Sequence, residues 1–354
     1  MTREAPSATL REGVIQYIVR RALWAVVLVF AITMVSYALF FLVPADPGRV
    51  GRGPARETTN LRESVEIKGP VYKEYGQFLW RIGHGSFGES WVNSREVNQV
   101  VFEAMPVTLS LVLGGAVMWI LLAVPIGVLS ALRPRSLLDR LMTVLVLVGV
   151  SAHPVWLGLI LSYFFGRSRL FPFGGYCDLT APTYVCNGFA QWAWHLFLPW
   201  LTFALLYAAL YSRMIRASVI ETMNEDYVRT ARAKGAPRWR VLRSHVLRNA
   251  MLPVVTMLGM DLGYWMSNAV FVESVFGLPG VGRLLTTSLS RRDLPVMMSI
   301  VVFVSLLIVV LTFVVDLLYA AIDPRVRVGR GGGEGRQVSA RGPKPAVSSA
   351  EQPA

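Results

Sequence analysis

Long apolar runs separated by short charged segments dominate the chain, and six of them are long enough to cross a bilayer: 23–43, 107–132, 141–165, 196–211, 251–271 and 296–322. About 20 apolar residues of helix span a hydrocarbon core, so each run predicts one crossing. The fourth run is the shortest, but Trp192 and Trp194 precede it, and such amphipathic aromatics carry a helix up to the headgroups. The pattern predicts an all-α integral membrane chain with six transmembrane helices.

Residues 1–19 read as a polar, cytoplasmic N-terminal lead-in, interfacial from about residue 14. The first run exceeds a secretory hydrophobic segment and has no small-residue cleavage site before Pro44, so it reads as a retained helix with Arg20 and Arg21 holding its start inside. Basic residues collect in cytoplasmic loops. Loop 133–140 has three and loop 213–248 has nine, twelve in all, against five in the two short outer loops (Arg167 and Arg169; Arg283, Arg291 and Arg292). Both termini are therefore expected in the cytoplasm. The outer loop 44–104 is too long to count, and its eight basic and eight acidic residues cancel. The six-helix domain is expected over 20–327, with a disordered, Gly-, Pro- and Ser-rich cytoplasmic tail over 328–354.

Composition agrees. The 354 residues are 54% hydrophobic and 16% charged, against about 25% charged in soluble domains. The net charge of +13 would suggest nucleic acid in a soluble protein, but here it follows from basic cytoplasmic loops meeting anionic membrane lipids, and no nucleic-acid partner is expected. The two cysteines, Cys177 and Cys186, share the third loop, which this topology places outside. An oxidising exterior makes them a candidate disulfide, two free thiols being the alternative.

Catalytic constellations are missing. The glycine cluster Gly277, Gly280 and Gly282 has neither the Lys nor the Ser or Thr of a phosphate-binding loop. His84 and Ser86 lie in a glycine-rich outer loop, and no serine in an elbow sequence accompanies His153. The chain is expected to be no enzyme and to hold no metal. Inside the membrane remain His153, Asp261, Asn268 and Asp316, with Glu273 at a boundary. Charges at bilayer depth normally face a cavity or a partner, which makes His153, Asp261, Asn268 and Glu273 candidate pathway residues. For Asp261 the alternative is a structural contact with a Tyr, Trp or Arg of a neighbouring helix, and Asp316 reads as structural. Proline and glycine at Pro125, Gly127, Gly149, Pro154, Gly259 and Gly263 interrupt three of the helices.

The cytoplasmic loop 213–248 is the most specific segment. Its centre reads Asp226, Tyr227, Val228, Arg229, Thr230, Ala231, Arg232, Ala233, Lys234, Gly235, followed by Pro237 and Trp239. That composition predicts a short exposed helix stopped by Gly235, then a second helix with Val241, Leu242, His245 and Val246 on one stripe. Small residues that allow close approach, interleaved with Arg229, Arg232 and Lys234, fit a docking element. An amphipathic helix lying on the inner leaflet is the alternative.

The run from Asp226 to Gly235 resembles the cytoplasmic loop of ABC importer permease subunits of the dipeptide and oligopeptide (peptide/nickel) branch. Further matches, in order, are Gly85 to Ser90, Met105 to Leu109, Ser151 to Leu157, Glu273 to Gly282, Arg292 to Val296 and Asp316 to Arg325. The wider permease signature has E-A-A and I-x-L-P, where this chain has Arg229-Thr-Ala231 and His245-Val-Leu-Arg248, a departure shared with the peptide branch. The resemblance implies a type I importer permease fold and a coupling role for Arg229 to Trp239. It also implies a second, similar permease, one or two cytoplasmic ATPase subunits carrying ATP and Mg, and an external substrate-binding protein. Peptides are the implied cargo. A proton-coupled secondary transporter using Asp261 is the rival reading.

Overall fold

The computed structural model describes residues 7–38, 71–167, 171–172, 174–178 and 188–322. Residues 44–70 of the outer loop, Cys186 and the tail 328–354 lie outside the described residues, as do the side chains of most of 1–19 and of Asp316. The described chain is helical: α1 Ser7–Tyr37, α2 Val71–Gly83, α3 Val97–Leu132, α4 Leu137–Ser151, α5 Pro154–Arg167, α6 Phe189–Met223, α7 Asp226–Ala233, α8 over 238–250, α9 Leu252–Phe276, α10 Val281–Arg291 and α11 Leu294–Ile322. The middle of α8, Val241–Leu247, is wound as a π-helix.

The described part of each of the six apolar windows falls on a helix or a broken helix, residues 39–43 of the first lying outside it. By length and composition three described helices suffice alone to cross a membrane, Val97–Leu132, Phe189–Met223 and Leu294–Val315, and the pair Gly263–Phe276 and Val281–Arg291, bent by 79°, makes a fourth candidate. The window 141–165 is split into α4 and α5 at Ala152 and His153, because a residue before proline is pushed out of the helical region; Ala152 is already extended, with ψ 132°. The lead-in and first crossing form one helix, α1, since a single Gly13 costs only about 1 kcal/mol in a helix interior. The outer segment 71–104 carries α2 and the first turns of α3. The fourth window is the largest departure: α6 runs from Phe189 to Met223, far past residue 211, because Arg213, Arg216 and Glu221 end the apolar run without ending the helix.

The core sits between α3, α6 and α9. Gly114, Gly115 and Gly127 let α6 close on α3, a side chain at any of them colliding with Trp200, Phe203 or Ile215. Trp119, fully buried, packs edge-on to Trp265 at 4.0 Å between ring centres, with Tyr207 and Tyr211 beside it.

At the end of the bundle where α11 begins, Ser90 donates its hydroxyl to Asp293 Oδ2, and the Trp91 amide donates to Oδ1 at 3.2 Å. Both side chains are buried, so the brace fastens the loop before α3 to the start of α11. Asp293→Ala leaves two buried donors unmatched and is expected to lower stability by about 1–3 kcal/mol, read as a lower melting temperature of the detergent-solubilised chain. An unchanged melting temperature would show the brace to be idle.

Candidate functional site: the docking loop and the intramembrane face

Three places in the fold gather the residues of interest. The first is α7, which is amphipathic: Val228 is completely buried, while Asp226, Arg229, Thr230, Arg232, Ala233 and Lys234 are exposed and Ala231 is half-buried. The helix ends as its sequence dictates. Gly235 adopts φ +79°, its amide donates to Arg232 O at 3.0 Å, and the Ala236 amide donates to Ala231 O at 3.2 Å. This reciprocal pair is the hydrogen-bonded stop that a left-handed residue permits. Asn249 Nδ2 donates to Tyr227 Oη at 2.7 Å, and Val241 and Val246 of α8 are buried in the same core, which seats α7 against α8. Trp239 is left 66% exposed. The Arg229–Asp226 pair, 3.8 Å apart and open to water, adds little. The result is a fixed, protruding helix with a basic rim and an uncovered tryptophan.

Beside it lies a cluster that motif reading missed. Asp139, in the first turn of α4, faces Arg216 of α6, with Arg216 Nε 2.6 Å from Oδ1 and Nη2 donating to Oδ2 at 2.9 Å. The Ser130 hydroxyl of α3 donates to Oδ1 at 2.5 Å and the Arg135 amide to Oδ2 at 2.9 Å. The Ser130 bond, then the Arg135 and Arg216 bonds, hold the Asp139 carboxyl down at about 2. A depressed carboxyl pKa contributes stability that is complete above the ordinary value near 4, and here it is lost only as the pH falls through about 2. The pair is therefore ionised at neutral pH. A signal was present in the sequence: Ser136 caps α4, accepting from the Asp139 amide at 3.3 Å, the S-x-x-D pattern of a helix start.

Within the membrane, two of the four candidate pathway residues share an anchor. Tyr211 Oη donates to Asp261 Oδ2 at 2.8 Å, and Asn268 Nδ2 donates to Tyr207 Oη at 3.1 Å, so both residues of α9 are held on tyrosines one turn apart on α6. Asp261 stays partly exposed. Along α9, Met260, Tyr264, Ser267, Phe271 and Ser274 are all exposed and form one helical stripe. Ser267 and Ser274 return their hydroxyls to the carbonyls four residues back, so Tyr264 and Asp261 supply the stripe's polarity. His153 lies apart, exposed at the α4–α5 break, its ring edge-on to Phe271 at 4.9 Å.

Glu273 belongs to a third place, the outer joint. It is fully buried, accepts from the Thr108 hydroxyl at 2.6 Å and from the Arg283 amide at 3.0 Å, and Thr108 Oγ1 in turn accepts from the Val281 amide at 2.8 Å. The carboxylate thus sits on the first turn of α10 and fixes its bend from α9. Gly280 and Gly282 make room: a Cβ on Gly280 would run into the Glu273 carboxylate, and one on Gly282 would lie 2.5 Å from Val270 Cα. Next to this joint a hollow of about 830 Å³ opens between α3, α10 and the 176–178 segment, with Glu103, Asp178 and Arg283 on its wall. Cys177, in that segment, is buried and disulfide-bonded. Among the described residues no three His, Cys, Asp or Glu side chains gather as a metal site.

A membrane-crossing helical bundle with an exposed, basic, amphipathic helix beyond it and a polar stripe along α9 is the architecture of a membrane transport subunit. The chain belongs to the family of inner membrane components of binding-protein-dependent transport systems, whose model matches residues 123–328; the model of the N-terminal part of such membrane components matches 14–112. It is 36% identical over 337 residues to a probable D,D-dipeptide transport system permease protein of Escherichia coli (strain K12), covering 90% of this chain and 98% of that one. It is 34% identical over 315 residues to an oligopeptide transport system permease protein of Bacillus subtilis (strain 168), covering 88% and 98%. A probable peptide ABC transporter permease protein of Sinorhizobium fredii is 33% identical over 315 residues, covering 88% and 99%. The chain is accordingly an ABC importer permease subunit of the inner membrane, works with ATPase and substrate-binding partners, and is no enzyme itself. This family membership displaces the proton-coupled reading of Asp261.

Proposed function

We propose that the chain forms one half of the path of a peptide importer, with a second, similar permease as the other half and two ATPase subunits beneath. In this reading it crosses the membrane six times, with both termini cytoplasmic. The observation that carries the coupling role is the capped, basic, tryptophan-bearing α7–α8 element, held rigid by its own core contacts and uncovered on its outer side. The residues that bear it are Asp226, Tyr227, Arg229 to Gly235 and Trp239. ATP binding draws the ATPases together, the seated element moves with them, and the helices exchange an inward for an outward opening. ATP and Mg belong to the partner subunits in this scheme.

The peptide cargo is supported by the names that the three relatives carry. The path is best placed along the exposed α9 stripe with Asp261 and His153 near it, since a carboxylate at membrane depth suits a wet or protein-lined surface and not lipid. The orientation is supported by the basic loops around α7 and by the bonded state of Cys177, which suits an oxidising exterior. Purification from native membranes in mild detergent is expected to bring down a second permease and P-loop ATPases in fixed ratio, and peptide uptake is expected to stop on ATP depletion. Recovery of the chain alone, with uptake surviving depletion, would overturn the assembly.

A further inference from the structure

We propose that the Asp139–Arg216 pair is the tie through which movement of the docking element reaches α4 and the His153 break; the inference rests on the coupling role proposed for α7. Arg216 lies seven residues before the end of α6, and α7 begins three residues after that end. Whatever moves α7 therefore moves Arg216. The return strand of the docking element is bound to the same stretch, because Ser218 Oγ donates to Ala250 O at 3.0 Å.

On α4, Leu137, Leu141, Val144, Leu145 and Val148 are all exposed. Between α4 and α6 lies an apolar hollow of about 190 Å³ walled by Leu145, Val148, Leu205 and Ala208 among others. Beyond it the two helices close again, a Cβ on Gly149 coming within 3.2 Å of Ala209 Cβ. Among its described side chains, α4 meets α6 in a polar contact at its start and a small-residue contact near its far end.

The pair is built to be stiff. The carboxylate is gripped from three directions, by the Ser130 hydroxyl, the Arg135 amide and the guanidinium, and is shielded from solvent. Arg216 Nη2 donates to one carboxylate oxygen, and Nε stands within ion-pair distance of the other. Ser130 belongs to α3 and Arg135 to the α3–α4 turn, so the whole cytoplasmic corner of the α3–α4 hairpin is pinned to α6. At the end of α4 stand Ala152 and His153, where the helix breaks. Asp139 and Arg216 are positioning residues in this account: they touch no cargo and act through α4.

The test uses the assembled transporter, with its ATPases and binding protein, in lipid nanodiscs. Spin labels replace Leu137 and Glu221, exposed positions in the first turn of α4 and the last turn of α6. With the pair intact, the distance between them is expected to change by no more than about 1–2 Å between the nucleotide-free and ATP-bound states. A larger change would overturn the tie without any substitution in it. Asp139→Asn keeps the shape but drops the charge. It is expected to broaden that distance and to lower cargo transported per ATP hydrolysed about fivefold or more while hydrolysis itself persists. Asp139→Glu, which keeps the charge, is expected to recover part of the ratio, a recovery that a purely structural role does not predict. An unchanged ratio and distance in Asp139→Asn would overturn the proposal. Failure of the docking role is read separately, in Gly235→Asp, which acts on hydrolysis.

Discussion

Gly235→Asp is expected to cut cargo-stimulated ATP hydrolysis by the assembled transporter about tenfold or more, while the chain inserts and folds normally. The separation of these two effects comes from the structure. Nothing in the chain lies within 4 Å of a Cβ placed on Gly235, and aspartate is among the few residues that tolerate a left-handed backbone, so the φ of +79° is within its reach. The isolated subunit therefore loses little. A seated partner, by contrast, meets added bulk and a carboxylate among Arg229, Arg232 and Lys234, and a tenfold loss corresponds to about 1.4 kcal/mol at that contact. Gly235→Val is the complementary variant. A β-branched residue resists the left-handed conformation, so it is expected to unfasten the cap itself and loosen α7. Normal cargo-stimulated hydrolysis in Gly235→Asp would remove the docking role from α7.

The largest loss of stability is expected for Glu273→Ala. It leaves the Thr108 hydroxyl and the Arg283 amide without their acceptor inside a closed joint, each costing about 1–3 kcal/mol when unmatched. The loss should reach about 3 kcal/mol or more. It should appear as a fall in the melting temperature of the solubilised chain and in the fraction that stays monodisperse. Glu273→Gln keeps an acceptor for Thr108 and should lose well under half as much. Because Thr108 and Glu273 act on one another, the double variant with Thr108→Val should fall short of the sum of the singles. A Glu273→Ala chain as stable as the parent would detach the α9–α10 bend from this carboxylate. Glu273 thus forms a buried joint between α3, α9 and α10, away from the exposed α9 stripe.

How much of this was legible in the sequence divides along a physical line. Apolar runs of membrane length report a local property, and where they are described they lie on helices, three of which, or four with the bent pair, suffice to cross a membrane. The Gly235 stop was legible for the same reason, since a helix end is decided within six residues. The motifs themselves were visible, but what they do was not: Ser90 meets Asp293 across 203 residues and Thr108 meets Glu273 across 165, and such pairings belong to the packing of distant segments. Asp261 stood between a path role and a structural contact, and the Tyr211 bond gives it the contact while leaving it partly exposed. The length of α6 escaped because hydropathy reports where lipid ends, and a helix need not end there. Asp139 and Arg216 each look like an ordinary basic-loop residue until both are seen on one corner.

In the proposed coupling scheme, that excess length of α6 sets the mechanical gearing of the subunit. Its 35 residues amount to about 52 Å of rod at 1.5 Å per residue, against about 30 Å of hydrocarbon. The docking helix thus rides on the end of a crank standing roughly 20 Å clear of the apolar layer. If the rod pivots near its tryptophan-anchored outer end, a swing of about 10° carries the tip about 9 Å while the middle of the rod travels about half as far. In this scheme the stroke below the membrane is thereby stepped down by about a third at Tyr211, the partner of Asp261.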